Sequence, residues 1–299
     1  MLDDRRPVGG VLFRKMRFTG SILIVNFNSG PLLARCLASI ADQIPDARVV
    51  VVDNASVDDS ERAAEGPSDR LMLVRNPRNA GFARAVNEGM QQATGEWVML
   101  LNPDCQLMPE AVERLEAELI ARRECAIVAP RIEDEDGGIQ GNARGDPTLL
   151  TGLFGRTTLL TRLFPRSRVA RRNVRLDLAQ AGTSSVEVDW VSGACMMVRR
   201  AAWDTVGGFD ERYFMYWEDA DLCRRLRARG FTVRYVPAAR VTHRVGGSSD
   251  GARSLAVRAF HRSAYVYYSM HVARNPIQRS FAWIVLELRC RWKLAIARF

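Results

Sequence analysis

The cysteines of this sequence lack the spacings that hold zinc or staple a small secreted domain. Six cysteines are scattered along the chain, and no two of them form a C-x-x-C pair. This arrangement excludes a zinc ribbon and a disulfide-stapled fold. A reducing compartment is the environment that fits six scattered thiols best.

Long apolar runs are missing as well. The first twenty residues carry five basic side chains but no apolar stretch long enough for the core of a signal peptide. The longest apolar run near the C-terminus, residues 281–286, is far shorter than the ~20 residues that span a bilayer. We therefore expect a protein that stays in the cytoplasm and does not cross a membrane.

Several nucleotide-binding and nucleic-acid-binding motifs are also absent. The chain contains neither G-x-G-x-x-G nor G-x-x-x-x-G-K-[ST], so it predicts neither a Rossmann dinucleotide site nor a P-loop. A sugar nucleotidyltransferase is disfavoured, because the expected Gly-rich, Lys-bearing loop near the first strand is missing. The net charge of +9 would suit nucleic acid, but no RNP, helix-turn-helix or zinc-finger pattern accompanies it. We expect no nucleic-acid partner.

The chain nevertheless has the composition of a globular enzyme with a large core. It has 299 residues, of which 47% are hydrophobic and 26% are charged. Acidic residues are scarce in two segments: residues 251–299 carry a net charge of +8, and residues 153–175 hold seven arginines and no acid. Both segments interleave basic with apolar side chains, which suggests an anionic and partly apolar partner.

Along the first hundred residues, continuous apolar runs alternate with segments in which apolar residues recur at helical spacing. Buried strands are predicted at residues 21–28, 48–53, 71–74 and 97–101, and helices at 31–40 and 82–93. This alternation is typical of a parallel α/β sheet. Polar side chains follow the strands, and they should converge on one crevice because the carboxyl ends of parallel strands share one edge. They are Asn26, Asn28, Asp53, Asn79 and Asp104.

The second half of the chain has a less regular pattern. A helix at 110–122 and a strand at 126–129 lead into an irregular excursion over residues 133–185. Regular structure then returns as a strand at 189–198, helices at 200–206 and 218–229, and a final strand at 231–236. No internal repeat is evident.

Asp104 follows a predicted strand and stands beside Pro103, which removes a competing backbone donor. A carboxylate at a sheet edge suits Mg²⁺ or Mn²⁺, which prefer oxygen ligands and commonly bridge diphosphates. A helix N-cap or a loop turn is the alternative for this residue. A lone histidine such as His243 is more often structural than a ligand, and His261 and His271 receive no role.

Three carboxylates, those of Glu218, Asp219 and Asp221, open the helix predicted at 218–229. Acidic residues commonly occupy a first helical turn because of the helix dipole and the free amides, which is the ordinary explanation. Residues 214–217 just before them are rich in aromatic side chains. An aromatic wall beside clustered carboxylates suits a sugar site with a general base.

Taken in order, these segments resemble the family 2 glycosyltransferases of the GT-A fold, and most closely their bacterial rhamnosyltransferase-like branch. The resemblance runs over residues 21–249. It implies a mixed, mainly parallel α/β sheet flanked by helices, with a Rossmann-like nucleotide-binding half and a C-terminal helical extension. It is carried by residues 24–28 (IVNFN), 52–56 (VDNAS), 76–82 (NPRNAGF), 101–104 (LNPD), 207–210 (GGFD) and 217–221 (WEDAD), with Asn87 and His243.

The resemblance also implies roles for individual residues. Asp219 matches the family's general base, and Glu218 and Asp221 would position it or contact the acceptor. Asp104 matches the last acid of the D-x-D metal motif, and His243 matches a histidine that completes the site for Mg²⁺ or Mn²⁺. Contacts to the nucleotide-sugar fall to Asn26, Asn28, Asp53, Asn54, Asn79, Gly81, Asn87 and Asn102, and contacts to the donor or acceptor sugar fall to Gly193, Ala194 and Trp217.

One position departs from the family pattern. The first acid of D-x-D is Asn102 here, which can hydrogen-bond ribose or phosphate but adds less to a metal site. Rhamnosyltransferase-like members often carry this change, so it favours this branch within the family. The implied reaction is a single inverting displacement, in which Asp219 takes the proton of an acceptor hydroxyl and a nucleoside diphosphate leaves.

The last segment of the chain suggests how the protein meets its partner. Residues 278–299 place apolar side chains on one helical stripe with basic residues beside it. Such a helix suits an anionic membrane surface, and packing on the core or on a second subunit of a homodimer is an equal alternative. Alternation over residues 286–293 also leaves a strand open. The stripe comprises Phe281, Ile284, Val285, Leu288, Trp292, Ala295, Ile296 and Phe299.

Together these features predict an enzyme of cell-envelope glycan synthesis, peripherally attached to the cytoplasmic face of the membrane. The favoured reaction moves L-rhamnose from dTDP-rhamnose to a lipid-linked glycan. UDP-hexose or UDP-galactofuranose transfer and an inactive nucleotide-sugar-binding scaffold are the alternatives, and the presence of both Asp219 and Asp104 argues against the scaffold.

The expected organisation is an N-terminal extension at 1–18, a catalytic domain at 19–249 with halves at 19–108 and 109–249, and a basic helical extension at 250–299.

Overall fold

The computed structural model describes residues 18–66, 68–147, 182–244 and 253–296. The strands in these ranges are β1 (Ser21–Asn26), β2 (Arg48–Asp53), β3 (Leu71–Arg75), β4 (Trp97–Leu101), β5 (Cys105–Leu107), β6 (Cys125–Glu133), β7 (Ile139–Gln140), β8 (Ala143–Arg144), β9 (Val186–Glu187), β10 (Trp190–Val191), β11 (Cys195–Arg199) and β12 (Thr232–His243). The α-helices are α1 (Leu32–Gln43), α2 (Phe82–Gln92), α3 (Ala111–Ala121), α4 (Arg200–Val206), α5 (Glu218–Arg227), α6 (Arg253–His271) and α7 (Pro276–Ile296). The basic and apolar segment at 153–175 and nearly all of the predicted N-terminal extension lie outside the described residues.

Ten of these strands form one mixed sheet. Its main path runs in the order β3-β2-β1-β4-β11-β6-β12-β5, with β7 paired to β6 and β9 to β12. Strands β3, β2, β1 and β4 are mutually parallel, as are β6 and β12, whereas β11 is antiparallel to both of its neighbours. β8 and β10 form a separate ribbon. The predicted mixed sheet flanked by helices is confirmed.

The first strands are buried on both faces because helices cover both sides of the sheet. In β1, Ile22 and Ile24 pack in one core cluster with residues of α1 and α3. Leu23 and Val25 pack in a second cluster with residues of α2, α4 and α5. Successive side chains of a strand point to opposite faces, so a strand in this position needs a continuous apolar run.

Two strands extend beyond their predicted ends, and the extra length brings distant residues together. β6 runs to Glu133 and β12 to His243, where the apolar pattern predicts ends near residues 129 and 236. The register of β12 on β6 shifts between Val236 and Arg240, so the strand continues through a stretch that resembles a turn in the sequence. β5, which the sequence does not predict, pairs antiparallel with the end of β12.

The strand predicted at 189–198 is two strands in the structure. β10 pairs with β8, β11 joins the main sheet, and residues 192–194 belong to neither. The backbone of this interruption bonds to other segments, including the Asp219 carboxylate. Both strands are buried and therefore apolar, so the sequence shows one apolar run and gives no sign of the interruption. The first part of the predicted irregular excursion is also ordered, since it contains β7 and β8.

The loop before α2 passes very close to the segment before α5. The N–H of Phe82 donates to the carbonyl of Phe214 at 2.6 Å. Gly81 has a φ of 89°, and a Cβ at this position would lie 2.5 Å from the same carbonyl oxygen. Only glycine combines this φ with so close an approach. The contact ties the loop predicted to bind the nucleotide to the segment that leads into Asp219.

The C-terminal segment folds as a helical hairpin. α6 packs on Trp217 through Phe260 and Tyr267, whose ring centroids lie 5.9 and 5.2 Å from the indole. α7 packs against α6, and among its described residues Cys290 alone is buried. The predicted helix over the last segment is confirmed for its described residues, and the alternative of a strand at 286–293 is wrong because these residues lie within α7. In the part of the chain that the structure describes, no helix is long and apolar enough to cross a bilayer.

The apolar stripe predicted on this last helix faces away from the protein. Phe281, Leu288 and Trp292 have 69%, 63% and 59% of their surface exposed. The described residues therefore do not cover this stripe, and the predicted alternative of packing on the core is not seen among them. Phe299, the last residue of the stripe, lies outside the described ranges.

Candidate functional site

Asn26 and Asp53 end two adjacent parallel strands, and their side chains bond to each other. Asn26 donates from Nδ2 to Oδ1 of Asp53 at 2.8 Å and accepts from the Ser29 hydroxyl at 2.5 Å. Asp53 also accepts from the backbone N–H and the hydroxyl of Ser56, at 3.0 and 2.6 Å. Asn26 is fully buried, so in this arrangement it fixes the loops around Asp53 and does not offer its amide to a ligand.

Asn54 shapes the loop at residues 76–81. Its Oδ1 accepts from the N–H of Ala80 at 2.9 Å, and its Nδ2 donates to Oδ1 of Asn79 at 2.9 Å. Asn79 Oδ1 also accepts from the N–H of Gly81 at 3.0 Å. These bonds fold Asn54, Asn79 and Gly81 into one rim beside Asp53, so the structure brings four of the predicted nucleotide residues together.

Asn28 and Asn87 use their side chains to hold turns. Asn28 Oδ1 accepts from the N–H of Val57 at 2.8 Å. Asn87 donates to the carbonyl of Phe209 at 2.9 Å and accepts from the N–H of the same residue at 3.0 Å. Both ends of the Asn87 amide are thus occupied in tying α2 to the turn at 207–210, and the structure does not aim it at a nucleotide.

The pairing of β5 with β12 brings Asp104 and His243 together. His243 stands opposite Cys105, and Asp104 is the residue just before β5. Nε2 of His243 lies 3.3 Å from Oδ1 of Asp104. This carboxylate oxygen is buried and accepts no hydrogen bond from the residues that the structure describes.

Gln140 determines which ring nitrogen of His243 carries the proton. Its amide donates to the His243 carbonyl at 2.8 Å and to Asp134 at 2.6 Å, and its Oε1 lies 2.8 Å from Nδ1 of His243. Because an amide oxygen only accepts, Nδ1 carries the proton and Nε2 presents a lone pair toward Asp104. Two lone-pair atoms this close favour a cation beside them, so the residues present fit a hard ion such as Mg²⁺ or Mn²⁺.

Cys105 lies near this pair, but it does not suit a hard cation. Burial raises the pKa of its thiol well above the usual range, and the charge of Asp104 raises it further. The thiol therefore stays protonated and donates to the carbonyl of Ala194 at 3.5 Å. Asp104 and His243 remain as the candidate ligands, and Mg²⁺ or Mn²⁺ ions held by so few protein groups usually complete their coordination with substrate phosphates and water.

Asp219, in the first turn of α5, is held by two backbone N–H groups. Its Oδ2 accepts from Gly193 at 3.0 Å and its Oδ1 from Ala220 at 2.8 Å. Burial raises the pKa of Asp219 above the usual aspartate range, while these two N–H groups and the charge of Arg144 oppose the rise. An aspartate with a raised pKa and a fixed orientation is well suited to act as a general base.

Glu218 is buried beside Asp219 and differs from it in acidity. Burial raises the pKa of Glu218 well above its usual range, and the carboxylates of Asp219 and Asp221 raise it further. Its Oε2 has no hydrogen-bond partner among the described residues. Burial thus favours the neutral form of Glu218, whereas at Asp219 the two N–H donors favour the anion. Neighbouring carboxyl groups separated in this way can take different roles.

The backbone turns sharply just before these acids. Tyr216 and Trp217 have φ values of 70° and 73°, a region that costs bulky residues on the order of 1–3 kcal/mol each. α6 holds this turn in place, since Phe260 packs on both rings and the Ser263 hydroxyl donates to the carbonyl of Met215 at 2.9 Å. The turn sets the direction in which α5 begins, and therefore where Asp219 points.

Residues 193 and 194 connect the two parts of the site. The N–H of Gly193 bonds to Asp219, and the carbonyl of Ala194 accepts from the N–H of Asn102 at 2.8 Å. A Cβ on Gly193 would lie 3.7 Å from the Cβ of Asp219, so the backbone passes close to the acid. One short segment thus links Asp219 with the turn that carries Asp104.

Asp221 does not lie on the same side of α5 as Asp219. It is about 200° around the helix axis from Asp219, and it is fully buried. Its carboxylate accepts from Arg225 at 2.7 Å and lies 2.6 Å from Nε2 of His271. The structure does not aim it at an acceptor, because its carboxylate is occupied by Arg225 on the same helix and by His271 at the end of α6.

Removing this buried carboxylate should destabilise the fold strongly. We expect Asp221→Ala to lower the free energy of unfolding by roughly 3–5 kcal/mol, because it leaves the Arg225 cation without its partner. Urea denaturation measures the change. The matched control is Glu287→Ala, which breaks a pair at the same helical spacing whose Arg291 is 74% exposed. We expect less than about 1 kcal/mol there, and an equal loss in both variants would contradict the assignment.

Sequence reasoning missed three residues that shape the site. Gln140 and Arg144 lie on two-residue strands within a segment that the sequence shows as irregular, so no periodicity could mark them. His271 follows Tyr267 by four residues on α6, and the two rings stack 4.8 Å apart. That helical spacing is the one signal that could have marked His271 as an inward-facing side chain.

Comparison with known proteins decides the family. The sequence profile of glycosyl transferase family 2 matches residues 21–205, which is more than half of the chain. The protein is a family 2 glycosyltransferase. The profile of glycosyl transferase family group 2 also matches this glycosyltransferase, over residues 154–291. The resemblance inferred from the motifs is thereby confirmed.

Individual relatives agree with this assignment. The glycosyltransferase is 34% identical to N-acetylglucosaminyl-diphospho-decaprenol L-rhamnosyltransferase of Mycobacterium tuberculosis over 261 residues, which cover 82% of each chain. The structure of GalNAc-T7 with UDP, GalNAc and Mn²⁺ matches with a TM-score of 0.58 and 20% identity, over 86% of this chain and 51% of that one.

A second solved structure matches over nearly the whole chain. The mannosyltransferase PcManGT from Pyrobaculum calidifontis, in complex with GDP-Man and Mn²⁺, has a TM-score of 0.56 and 18% identity. The match covers 94% of this chain and 74% of that one. At these identities the two solved structures show that this glycosyltransferase shares their fold.

Proposed function

We propose that this glycosyltransferase moves a sugar, with inversion, from a nucleoside-diphosphate sugar to a hydroxyl of a lipid-linked glycan of the cell envelope. The observation that carries the proposal is the Asp219 carboxylate, which two N–H groups orient and which residues 193–194 link to the Asp104 turn. L-Rhamnose from dTDP-rhamnose is the favoured donor, and a lipid diphosphate sugar is the favoured acceptor. Both choices are supported by the 34% identity to the mycobacterial enzyme, whose name specifies L-rhamnose and a lipid diphosphate sugar for that protein. The dTDP carrier follows from the resemblance to the rhamnosyltransferase-like branch.

The chemistry is a single displacement at the anomeric carbon. The acceptor oxygen forms the new glycosidic bond while the bond to the nucleoside diphosphate breaks, and Asp219 takes the hydroxyl proton. The raised pKa of Glu218 favours its neutral form, which adds no charge beside the base. No covalent intermediate is required, and hence no second nucleophilic carboxylate.

Asp104 and His243 would hold a Mg²⁺ or Mn²⁺ ion in this proposal. When bound, such an ion supplies positive charge that stabilises the leaving diphosphate. The rim formed by Asn54, Asn79 and Gly81 would bind the nucleotide, with Asp53 beside it. Asn102 is half-buried beside Asp104, so its amide could hydrogen-bond the donor without adding charge to the metal site.

We further propose that residues 250–299 attach the catalytic domain to the cytoplasmic face of an anionic membrane. The exposed apolar stripe of α7 is accompanied by basic residues that would contact anionic headgroups, among them Arg279, Arg291 and Lys293. Basic helices with exposed Trp and Phe bind headgroup layers, which is where a lipid-linked acceptor would lie. A homodimer that buries the same stripe is the competing outcome, and sedimentation equilibrium would reveal it as a doubled mass.

The decisive experiment for the donor is a thermal-shift panel of dTDP-, UDP- and GDP-sugars, with and without Mn²⁺. A ligand that binds the native state raises its apparent stability by about 2.7 kcal/mol at a concentration of 100 Kd. We expect dTDP-rhamnose to give the largest shift, and transfer of rhamnose to a short-chain GlcNAc-diphosphate lipid to follow. A larger shift with UDP-sugars would replace rhamnose by a UDP-hexose or UDP-galactofuranose. No shift with any sugar nucleotide would contradict the proposed donor class.

A further inference from the structure

A cleft of about 690 Å³ lies between α6 and α7. One wall carries Arg258, Arg262 and Tyr265, which follow each other at helical spacing on α6. The facing wall is mainly apolar. It contains Trp283, Leu286, Cys290, Leu294 and Ala295, with Glu287 and Arg291 among them. The cleft is therefore basic on one side and apolar on the other.

The two arginines of α6 that line the cleft have no acidic partner among the described residues. Arg258 and Arg262 are exposed, and neither makes a salt bridge with any residue that the structure describes. Glu287, the one acid that lines the cleft, is engaged by Arg291 at 2.7 Å. Like charges four residues apart on a helix repel each other. An anion bound between Arg258 and Arg262 would relieve that repulsion.

A buried polar atom at the cleft also lacks a partner. His261 lines the cleft, and only 7% of its surface is exposed. Its Nδ1 lies 2.7 Å from the carbonyl of Val257 and donates to it, whereas Nε2 has no hydrogen-bond partner among the described residues. Burial lowers the pKa of His261, and the charges of Arg289 and Lys293 lower it further. A bound anion would act in the opposite direction and allow Nε2 to donate a hydrogen bond.

We propose that the cleft between α6 and α7 binds the phosphate group of an anionic phospholipid, with Arg258, Arg262 and His261 around the phosphate. Trp283 lines the cleft and is also 54% exposed on α7, so the cleft is continuous with the apolar surface that would meet the acyl chains. Phosphate held by arginine beside an apolar wall is the chemistry of a lipid headgroup at an interface. This inference rests on the proposed membrane attachment, but not on the choice of donor.

Vesicle flotation tests the site in the full-length protein. Phosphatidylcholine vesicles with and without phosphatidylglycerol would be compared for the wild type and for the double variant Arg258→Gln, Arg262→Gln. Each basic residue near an anionic surface is worth about 1 kcal/mol, so we expect roughly 30-fold weaker binding to the anionic vesicles. The control is Arg35→Gln with Arg123→Gln, two exposed arginines on α1 and after α3 that remove the same charge. An equal loss in both double variants would overturn the proposal, because net charge alone would then explain the binding.

The three histidines of the chain permit a second readout of the same site. Dihexanoyl phosphatidylglycerol below its micelle concentration should shift the NMR signal of the His261 ring and raise its pKa, with His243 and His271 unchanged. His261→Phe assigns the signal. An equal response to inorganic phosphate would overturn the lipid assignment in favour of a simple anion site.

These outcomes separate the lipid site from the proposed catalysis. The Arg258→Gln, Arg262→Gln variant should keep the full thermal shift with the sugar nucleotide. If no sugar nucleotide gives a thermal shift while the protein still binds the lipid, the proposed donor class is contradicted and the lipid site is not. If the wild type binds no anionic vesicle, the membrane attachment and the lipid site both fail.

Discussion

Replacing Asp219 with asparagine is expected to lower kcat by about 10³-fold with little change in nucleotide-sugar affinity. Asparagine preserves the size of the side chain but cannot take a proton, and a general base contributes roughly 10²–10⁴-fold. Its amide oxygen can still accept from one of the two N–H groups, of Gly193 and Ala220, that orient Asp219. The measurement is kcat for sugar transfer, with the thermal shift by the donor followed in parallel.

Glu218→Gln is the matched control for this variant. It makes the same chemical change in the neighbouring residue, but burial raises the pKa of Glu218 and so favours the neutral carboxyl group that glutamine resembles. We expect a loss of less than about tenfold, small beside the effect of a lost general base. Equal losses in the two variants, or an Asp219→Asn enzyme that keeps more than about a tenth of kcat, would show that Asp219 is not the base.

The raised pKa of Asp219 also predicts a pH dependence. Only the deprotonated carboxylate can act as the base, so kcat should fall as the pH drops through this pKa, above the usual aspartate value of about 3.9. The charge of Arg144 favours the anion. Arg144→Gln should therefore raise the pKa and move the acid limb of the kcat profile to higher pH. A limb that stays in place would mean that another group titrates there.

Replacing Asp104 with alanine is expected to abolish the contribution of Mn²⁺ to nucleotide-sugar binding. The variant removes one of the two proposed ligands, and loss of a group that merely orients a ligand already costs about 10–100-fold in metal affinity. We expect Mn²⁺ affinity in the presence of the donor to fall by more than about 100-fold. Thermal shifts over a Mn²⁺ titration at fixed nucleotide-sugar measure this without any turnover.

Two neighbours of the pair serve as controls for the metal site. Gln140→Met keeps both ligands but frees the His243 ring, so an intermediate loss of about 10–100-fold is expected. Cys105→Ala removes the protonated thiol, and the Mn²⁺ titration should keep its midpoint even where the baseline stability falls. If Asp104→Ala responds to Mn²⁺ as the wild type does, these residues do not form the metal site.

The parallel half of the fold could be predicted because its physical requirements act on contiguous residues. Strands β1 and β2 are covered on both faces, so each one needs an uninterrupted apolar run, and the run is visible in the sequence. The same signal failed at residues 189–198. Burial makes both pieces apolar, whereas the break between them depends on hydrogen bonds to the distant residues Asn142 and Asp219.

In the candidate site, too, individual residues could be predicted from the sequence, whereas the contacts between them could not. The resemblance named Asp104 and His243, and the structure brings the two side chains within 3.3 Å, while the metal itself stays a prediction. Their meeting depends on β5 and on the long end of β12, neither of which has a readable pattern. The acids at 218–221 were found as a cluster, but the helix turns Asp219 toward Gly193 and Asp221 toward His271.

The sequence by itself determined the α/β class, the family and several candidate residues of the site, among them Asp104, Asp219 and His243. These follow from composition, periodicity and motif order, each of which is a property of neighbouring residues. The tertiary structure alone decided that Gln140 orients His243, that Asp221 joins α5 to α6, and that the stripe of α7 faces outward. Such facts depend on strand register and helix packing between segments far apart in the chain, which local periodicity does not encode.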